Sequence, residues 1–234
     1  MNSDFAMRTK LLIGEEGIKK LEKSNVLVIG VGGVGSFCVE ALVRAGIGNL
    51  TIVDYAKVEE SDFNRQIPGL ISNLNKDKVQ VVKDRLLDIN KELNIKVINC
   101  IFNEKNSDEI FSQSYDYVVD AIDMVSAKLH LIQVCINKDI PIISSMGMGN
   151  KLDPTKIEIS DISKTHTCPL AKVMRKELRN RGIDHLKVVF STEHPMEVKE
   201  KISNGHRILP GSISFMSSCG GLIISSEVIK DLLN

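Results

Sequence analysis

Three charged side chains stand at spacings that suit chemistry on a phosphate group. Arg65 lies in the run Ser61-Asp62-Phe63-Asn64-Arg65-Gln66, Lys78 follows thirteen residues later, and Asp123 closes the tetrad Asp120-Ala121-Ile122-Asp123. Each falls just beyond an apolar run or at the start of a helical one. Two cations and a carboxylate so placed fit cleavage of a nucleoside triphosphate at its α-phosphorus. Arg65 and Lys78 would hold the phosphates and offset charge in the transition state, while Asp123 would position Mg²⁺. Taken singly, Arg65 or Lys78 is more often a solvated surface charge, and Asp123 reads also as a cap for the helix beginning near Ser126.

The nucleotide itself is announced earlier in the chain. The apolar run Val26-Leu27-Val28-Ile29 leads directly into Gly30-Val31-Gly32-Gly33-Val34-Gly35-Ser36. A strand, a tight glycine turn and a helix start bring backbone N–H groups and a helix dipole to a phosphate. Nineteen residues after Gly35, Asp54 ends a second apolar run, Leu50-Thr51-Ile52-Val53. A ribose hydroxyl is bound at that place in nucleotide folds. The loop alone would equally serve a nicotinamide-dependent oxidoreductase or a non-catalytic nucleotide-binding module. Arg65, Lys78 and Asp123 argue against both, because a reductase has no use for them.

The elements that must position these residues alternate along the chain. A helical segment at Glu15–Glu22 precedes the glycine-loop strand, and an irregular polar stretch fills Lys57–Asn75. The spacing of Val79, Val82, Leu86 and Ile89 predicts a helix from about Lys76 to Leu93. Strands follow at Lys96–Ile101, Tyr117–Ala121 and Pro141–Ser144, with helices near Ser107–Ser112 and over Ser126–Asn137. Such alternation predicts an α/β, Rossmann-like, doubly wound and mostly parallel sheet with helices on both faces. Ligands then sit beyond the carboxyl ends of the strands. A length of 234 residues, without repeats or linkers, fits one domain spanning residues 1–234.

Composition narrows the setting. Lys plus Arg and Asp plus Glu both number 30, so net charge selects no partner for the whole chain. The five cysteines, at positions 38, 100, 135, 168 and 219, form no CxxC pair, which fits reduced thiols of a cytoplasmic protein rather than disulfides or a four-cysteine zinc site. The polar N-terminus, Met1–Lys10, does not read as a secretory signal. Ile208–Ser225 carries no charge, but Pro210, Gly211, Gly220 and Gly221 interrupt it, so it reads as a buried small-residue helix and not as a membrane span.

Gly30-x-Gly32-Gly33-x-Gly35-Ser36, Arg44-Ala45-Gly46-Ile47-Gly48, Asn64-Arg65-Gln66, Lys78 and Asp120-x-x-Asp123 together resemble the ThiF-type, ubiquitin-activating-enzyme-like adenylyltransferases. Arg8-Thr9, Gly147-x-Gly149-Asn150-Lys151-Leu152-Asp153-Pro154-Thr155, Pro169-Leu170-Ala171 and Val189-Phe190-Ser191-x-Glu193 resemble the tRNA threonylcarbamoyladenosine dehydratase branch. The resemblance runs from about Arg8 to Leu232. It implies adenylation of the threonylcarbamoyl carboxylate on a tRNA adenosine, then cyclisation with release of AMP. It places ATP on Gly30, Gly32, Gly33, Gly35, Ser36 and Asp54, phosphates on Asn64, Arg65 and Lys78, and Mg²⁺ on Asp123. Arg8 resembles an arginine that reaches into the neighbouring subunit's ATP site, a role that requires a homodimer. A monovalent cation and a sulfur-relay protein are the further ligand and partner that go with the resemblance. Two positions depart from the pattern: Ala56 stands where a second acidic residue commonly follows the ribose-binding Asp, and Asp62 replaces a frequent Asn. The alternative within the superfamily, activation of the C-terminus of a small ubiquitin-like sulfur carrier, usually brings a zinc site and a transfer cysteine, and neither is evident.

For tRNA, the chain offers a basic segment at about residues 162–210. Lys164–Arg207 holds ten Lys or Arg against five Asp or Glu, with four of the five histidines. Within it, Pro169–Gly182 reads as a helix on which Leu170, Val173, Met174 and Leu178 form an apolar stripe. Lys172, Arg175, Lys176 and Arg179 share another face, as contact with a phosphate backbone requires. Cys168, just before the helix, reads as a cap position rather than a nucleophile, and Cys38, Cys135 and Cys219 read as core.

Overall fold

The computed structural model describes residues 5–200, 202–204 and 207–234; Met1–Asp4 of the polar N-terminus, and Lys201 and His206 of the basic segment, lie outside the described residues. The elements run α1 (Met7–Lys23), β1 (Asn25–Ile29), α2 (Gly35–Ala45), β2 (Asn49–Val53), α3 (Lys78–Ile89), β3 (Asn94–Ile98), α4 (Ser107–Ile110) and β4 (Tyr117–Asp120). They continue as α5 (Val125–Asn137), β5 (Ile142–Ser145), β6 (Ile157–Asp161), α6 (Pro169–Arg179), β7 (Lys187–Ser191), the short pair β8 (Ser203–Asn204) and β9 (Arg207–Ile208), and α7 (Ser214–Leu233).

Seven strands form one sheet in the order β3-β2-β1-β4-β5-β7-β6, parallel except for β6, which runs antiparallel to β7. Alternate side chains divide each central strand between two cores, as the pleat demands. Val26 and Val28 join Val39, Leu42, Val82 and Ile224 on the face covered by α2, α3 and α7. Leu27 and Ile29 join Leu131, Ile132, Met174 and Phe190 on the face covered by α5 and α6. The doubly wound α/β sheet expected from the alternation is therefore the observed fold.

The order places a topological switch between β1 and β4, because the chain leaves β1 toward β2 and returns to β4 on its other side. Loops after adjacent strands diverge there and leave a crevice. Several elements differ from the sequence reading, among them β3, which covers Asn94–Ile98 rather than Lys96–Ile101. Helix α1 begins at Met7, not Glu15, and breaks at Gly14 (φ 74°, ψ 177°), so Glu15–Glu22 is only its second part. β6 and β7 extend the sheet beyond the last strand read from the sequence. The charge-free stretch does become a buried small-residue helix from Ser214 onward, the first part of α7, which packs on α2 so closely that a Cβ on Gly221 would lie 2.3 Å from the Val34 carbonyl oxygen. Among the described residues, no helix is long and apolar enough to cross a membrane.

Candidate active site

A cavity of about 1100 Å³ opens at the switch point, walled by the loops that follow β1, β2, β4 and β5. Gly30, at the end of β1, adopts φ 91°, and a Cβ there would lie 2.6 Å from the Ala121 carbonyl oxygen. Both facts require glycine: the turn needs the left-handed region, and the loop after β4 presses against it. Gly32 and Gly33 line the cavity, with Gly32 facing the Gln66 amide. Gly35 and Ser36 lie behind the wall. A Cβ on Gly35 would fall 1.8 Å from the Gly30 carbonyl oxygen, and Ser36 is buried with its hydroxyl accepting the Ile67 N–H at 3.3 Å. The structure thus places these two as supports that tie the turn together and to the Arg65 segment, not as lining residues.

Asp54 lines the cavity at the end of β2. Its Oδ2 accepts the Val31 N–H at 2.8 Å and its Oδ1 the Ala56 N–H at 2.9 Å. One carboxylate therefore braces the glycine turn and keeps a lone pair on each oxygen for an incoming hydroxyl. Ile101, Phe102, Met124 and Ala127 supply an apolar wall that the sequence reading did not single out. Consecutive apolar residues after β3 were the available signal.

The cations gather on the opposite side. Lys78 is the first residue of α3; its side chain is only 9% exposed, and its ammonium lies 2.9 Å from Asp62 Oδ2. Arg65 folds back over its own loop, donating from Nη1 to the Ser61 carbonyl at 2.6 Å and to Asn64 Oδ1 at 2.9 Å. Asn64 Nδ2 donates to the Ser212 carbonyl at 3.0 Å, which joins this loop to the segment leading into α7. Asp123 stands exposed on the cavity wall beyond β4. Gly30, Gly32, Gly33, Asp54, Asn64, Arg65, Lys78 and Asp123 are thus brought together around one cavity. Arg8 is not; it lies on the exposed first part of α1 and does not line the cavity of its own chain.

Behind Asp123 the structure reveals a pair that sequence reasoning missed. Asp120 and Lys128 are both fully buried and form an ion pair of 2.9 Å. Ser144 donates to Asp120 Oδ2 at 2.5 Å, and the Lys128 ammonium also donates to the carbonyls of Ile122 (3.1 Å) and Ser145 (2.8 Å). The pair therefore clamps the two loops that flank Asp123. A single charge inside the apolar helix α5 was the signal for it.

The loop after β5, Met146–Gly149, closes the far end of the cavity. Lys151 holds it from within, donating to the carbonyls of Gly147 (3.3 Å) and Ser191 (3.0 Å), and burial pulls its pKa below the usual lysine range. Glu193 accepts the N–H groups of Leu152 and Asp153. Cys168 occupies the N-cap position of α6 without a side-chain capping bond and is 3% exposed. Cys38 and Cys135 are core residues whose thiol pKa values burial pushes up, and Cys219 packs at the edge of the same interior.

The basic helix departs from the sequence reading at two positions. Arg175 turns inward, its Nη1 donating to the Thr165 carbonyl at 2.8 Å and to Thr165 Oγ1 at 2.5 Å. Lys172, Lys176 and Arg179 remain exposed. Val173, placed in the apolar stripe, is 46% exposed, while Ala171, Met174 and Leu178 are buried. A smaller groove of about 630 Å³ between α5 and α6, bordered by Glu104, His130, Val173, Glu177 and Arg181, shares no residue with the larger cavity.

Comparison with known proteins matches residues 6–234 to the ThiF family. A tRNA threonylcarbamoyladenosine dehydratase of Bacillus subtilis is 42% identical over 237 residues, covering 97% of this chain and 93% of that one. The crystal structure of the Escherichia coli tRNA N6-threonylcarbamoyladenosine dehydratase in complex with AMP superposes with a TM-score of 0.91 at 32% identity, covering 99% of this chain and 94% of that one. The same enzyme's complex with ATP matches with a TM-score of 0.91 at 31% identity over the same shares.

Proposed function

This chain belongs to the ThiF family, and from that premise we propose that it is an ATP-dependent tRNA threonylcarbamoyladenosine dehydratase. The observation that carries the proposal is the convergence of the glycine turn, Asp54, Asn64, Arg65, Lys78 and Asp123 around one cavity at the β1/β4 switch point. Asp54 would hold the ribose. The glycine turn, Asn64, Arg65 and Lys78 would hold the phosphates. A turn in which Gly30 and Gly35 leave no room for a Cβ, facing two cations, fits a triphosphate. Asp123 is one carboxylate among described residues that form no group of three ligating side chains. That suits Mg²⁺, which takes most of its ligands from phosphates and water. Bound there, the ion would offset phosphate charge.

The chemistry asked of these residues is modest. A carboxylate is a poor acyl donor because its leaving group would be oxide. In the reaction, a carboxylate oxygen of the threonylcarbamoyl group attacks the α-phosphorus, the α–β anhydride bond breaks, and pyrophosphate leaves. A nucleophilic atom of the same group then closes on the acyl carbon and expels AMP, so the nucleoside has lost one water. The first step needs alignment and charge stabilisation, which Arg65 and Lys78 supply. The second is intramolecular, consistent with Cys168 being buried at a helix cap.

Substrate and assembly follow from the surface. Lys172, Lys176 and Arg179 would contact the tRNA backbone, with Arg175 holding the loop beneath them. Leu11 and Leu12 on the first part of α1 are 78% and 87% exposed, beyond the break at Gly14. Apolar side chains so placed fit a homodimer in which α1 packs on a second copy and Arg8 enters its ATP site. The protein would act in the cytoplasm.

The test is an assay of the purified protein with ATP, Mg²⁺ and tRNA carrying threonylcarbamoyladenosine, following AMP and the nucleoside mass. AMP release with loss of one water from the nucleoside, abolished by Asp123→Ala, is the expected result. ATP turnover only when a small sulfur-carrier protein replaces the tRNA would move the function to protein activation. Silence with both substrates would overturn the proposal.

A further inference from the structure

A cavity that collects cations for phosphate also holds a buried carboxylate. The Asp62 side chain is 6% exposed and lies on the cavity wall among Asn64, Arg65 and Lys78. Its Oδ2 is 2.9 Å from the Lys78 ammonium and accepts the Glu59 N–H at 3.0 Å. Its Oδ1 accepts from Gln66 Nε2 at 2.5 Å and stands 3.9 Å from the Arg65 guanidinium. One anion therefore faces Lys78, Gln66 and, at longer range, Arg65. The orientation has a visible cost, because Gln66 Oε1 is buried with no hydrogen-bond partner.

Resting on the reading of this cavity as an ATP site, we propose that Asp62 is an exchangeable counter-ion. It holds Lys78 in the nucleotide-free protein, yields it to a phosphate when ATP binds, and weakens the enzyme's hold on pyrophosphate once that product forms. The driving force is electrostatic. An ammonium has three donors but one charge, and two anions that share it repel each other across a few ångströms of poorly screened space. A phosphate chain carries more charge than Asp62 and takes the lysine. Asp62 keeps the Glu59 N–H and the Gln66 amide, so it stays beside the phosphates as an uncompensated negative charge. That charge opposes rebinding of the product whose departure commits the substrate to the adenylate. Asp62 acts here through Lys78 as a positioning residue.

The network shows how to test this without dismantling it. In Asp62→Asn, the amide oxygen keeps the Glu59 N–H and Lys78, and the new N–H₂ faces Gln66. Gln66 can turn its orphaned Oε1 to accept from it. The measurement is calorimetric titration of wild type, Asp62→Asn, Lys78→Met and the double variant with ATP, pyrophosphate and adenosine. Asp62→Asn is expected to bind pyrophosphate about tenfold tighter and ATP several-fold tighter, with adenosine unchanged. In the Lys78→Met background the gain should vanish, as coupled residues require. Equal or weaker pyrophosphate affinity in Asp62→Asn, or a gain that survives Lys78→Met, would overturn the proposal. Wild type that binds neither ATP nor pyrophosphate would instead overturn the ATP reading itself. Should the Asn variant fail to fold, a crystal structure of the wild type with ATP decides: Lys78 moved beyond 4 Å from Asp62 and onto a phosphate supports the exchange, and Lys78 still at 3 Å from Asp62 overturns it.

Discussion

Two lysine–aspartate pairs in this molecule have the same length and opposite surroundings. Asp120 and Lys128 meet at 2.9 Å with both side chains fully buried; Asp62 and Lys78 meet at 2.9 Å on the wall of a cavity. In the first pair, the remaining donors and acceptors are spent on Ser144 and on the carbonyls of Ile122 and Ser145, so no solvent or ligand can substitute for either partner. In the second, both residues line the cavity, so a ligand entering it could compete for either partner. Distance alone does not distinguish a structural clamp from a working contact. What separates them is whether something else can take a partner's place.

The comparison can be broken from either end. Lys128→Met leaves Asp120 sealed without its counter-charge, and the fold should lose about 3–5 kcal/mol in urea denaturation. Lys78→Ala should cost less in the same measurement, about 1–3 kcal/mol, because Asp62 keeps the Glu59 N–H and the Gln66 amide and borders the cavity. Its effect belongs to the reaction: AMP formation should fall about 10²–10³-fold, ~3–4 kcal/mol of barrier. If Lys78→Ala instead destabilised the protein as much as Lys128→Met, the two pairs would not differ in kind. Ser144→Ala sharpens the contrast at smaller scale. It removes one hydrogen bond to the buried Asp120, and denaturation should register a loss of about 1.5–3 kcal/mol with the ATP affinity of the folded protein unchanged.

The same contrast explains what could be read from the sequence. The glycine turn, Asp54, Lys78 and Asp123 were legible because each sits where a strand ends or a helix begins, and local periodicity marks those places. Lys128 was passed over although it is a lone charge in an apolar helix, because nothing in the sequence says that it turns back onto Asp120 at the end of the preceding strand. Arg175 shows the converse. Helical spacing put it correctly on the face of Lys172, Lys176 and Arg179, but a long side chain can turn back, and Thr165 accepts it. Gly35 and Ser36 belong to the motif as read, yet they act behind the wall, one by admitting the Gly30 carbonyl and the other by gripping Ile67. The antiparallel β6 was missed because a strand's direction is set by its pairing and leaves no mark in its composition. Asp62 stood in the sequence only as an unexpected Asp within the Arg65 run; its contacts with Lys78 and Gln66 became visible only in three dimensions.

The packing of α7 on α2 has a consequence for how the protein comes into being. The nucleotide motif is made early in the chain, yet the first turn of its helix leans, through Val34 and Cys38, on Gly221 of α7. A nascent chain folding from its N-terminus would expose the glycine turn, Asp54, Lys78 and Asp123 long before the support beneath that turn had left the ribosome. Message truncation or stalled translation ahead of α7 would therefore yield fragments that carry the whole signature but should not retain the nucleotide, so only finished chains would draw on the cell's ATP.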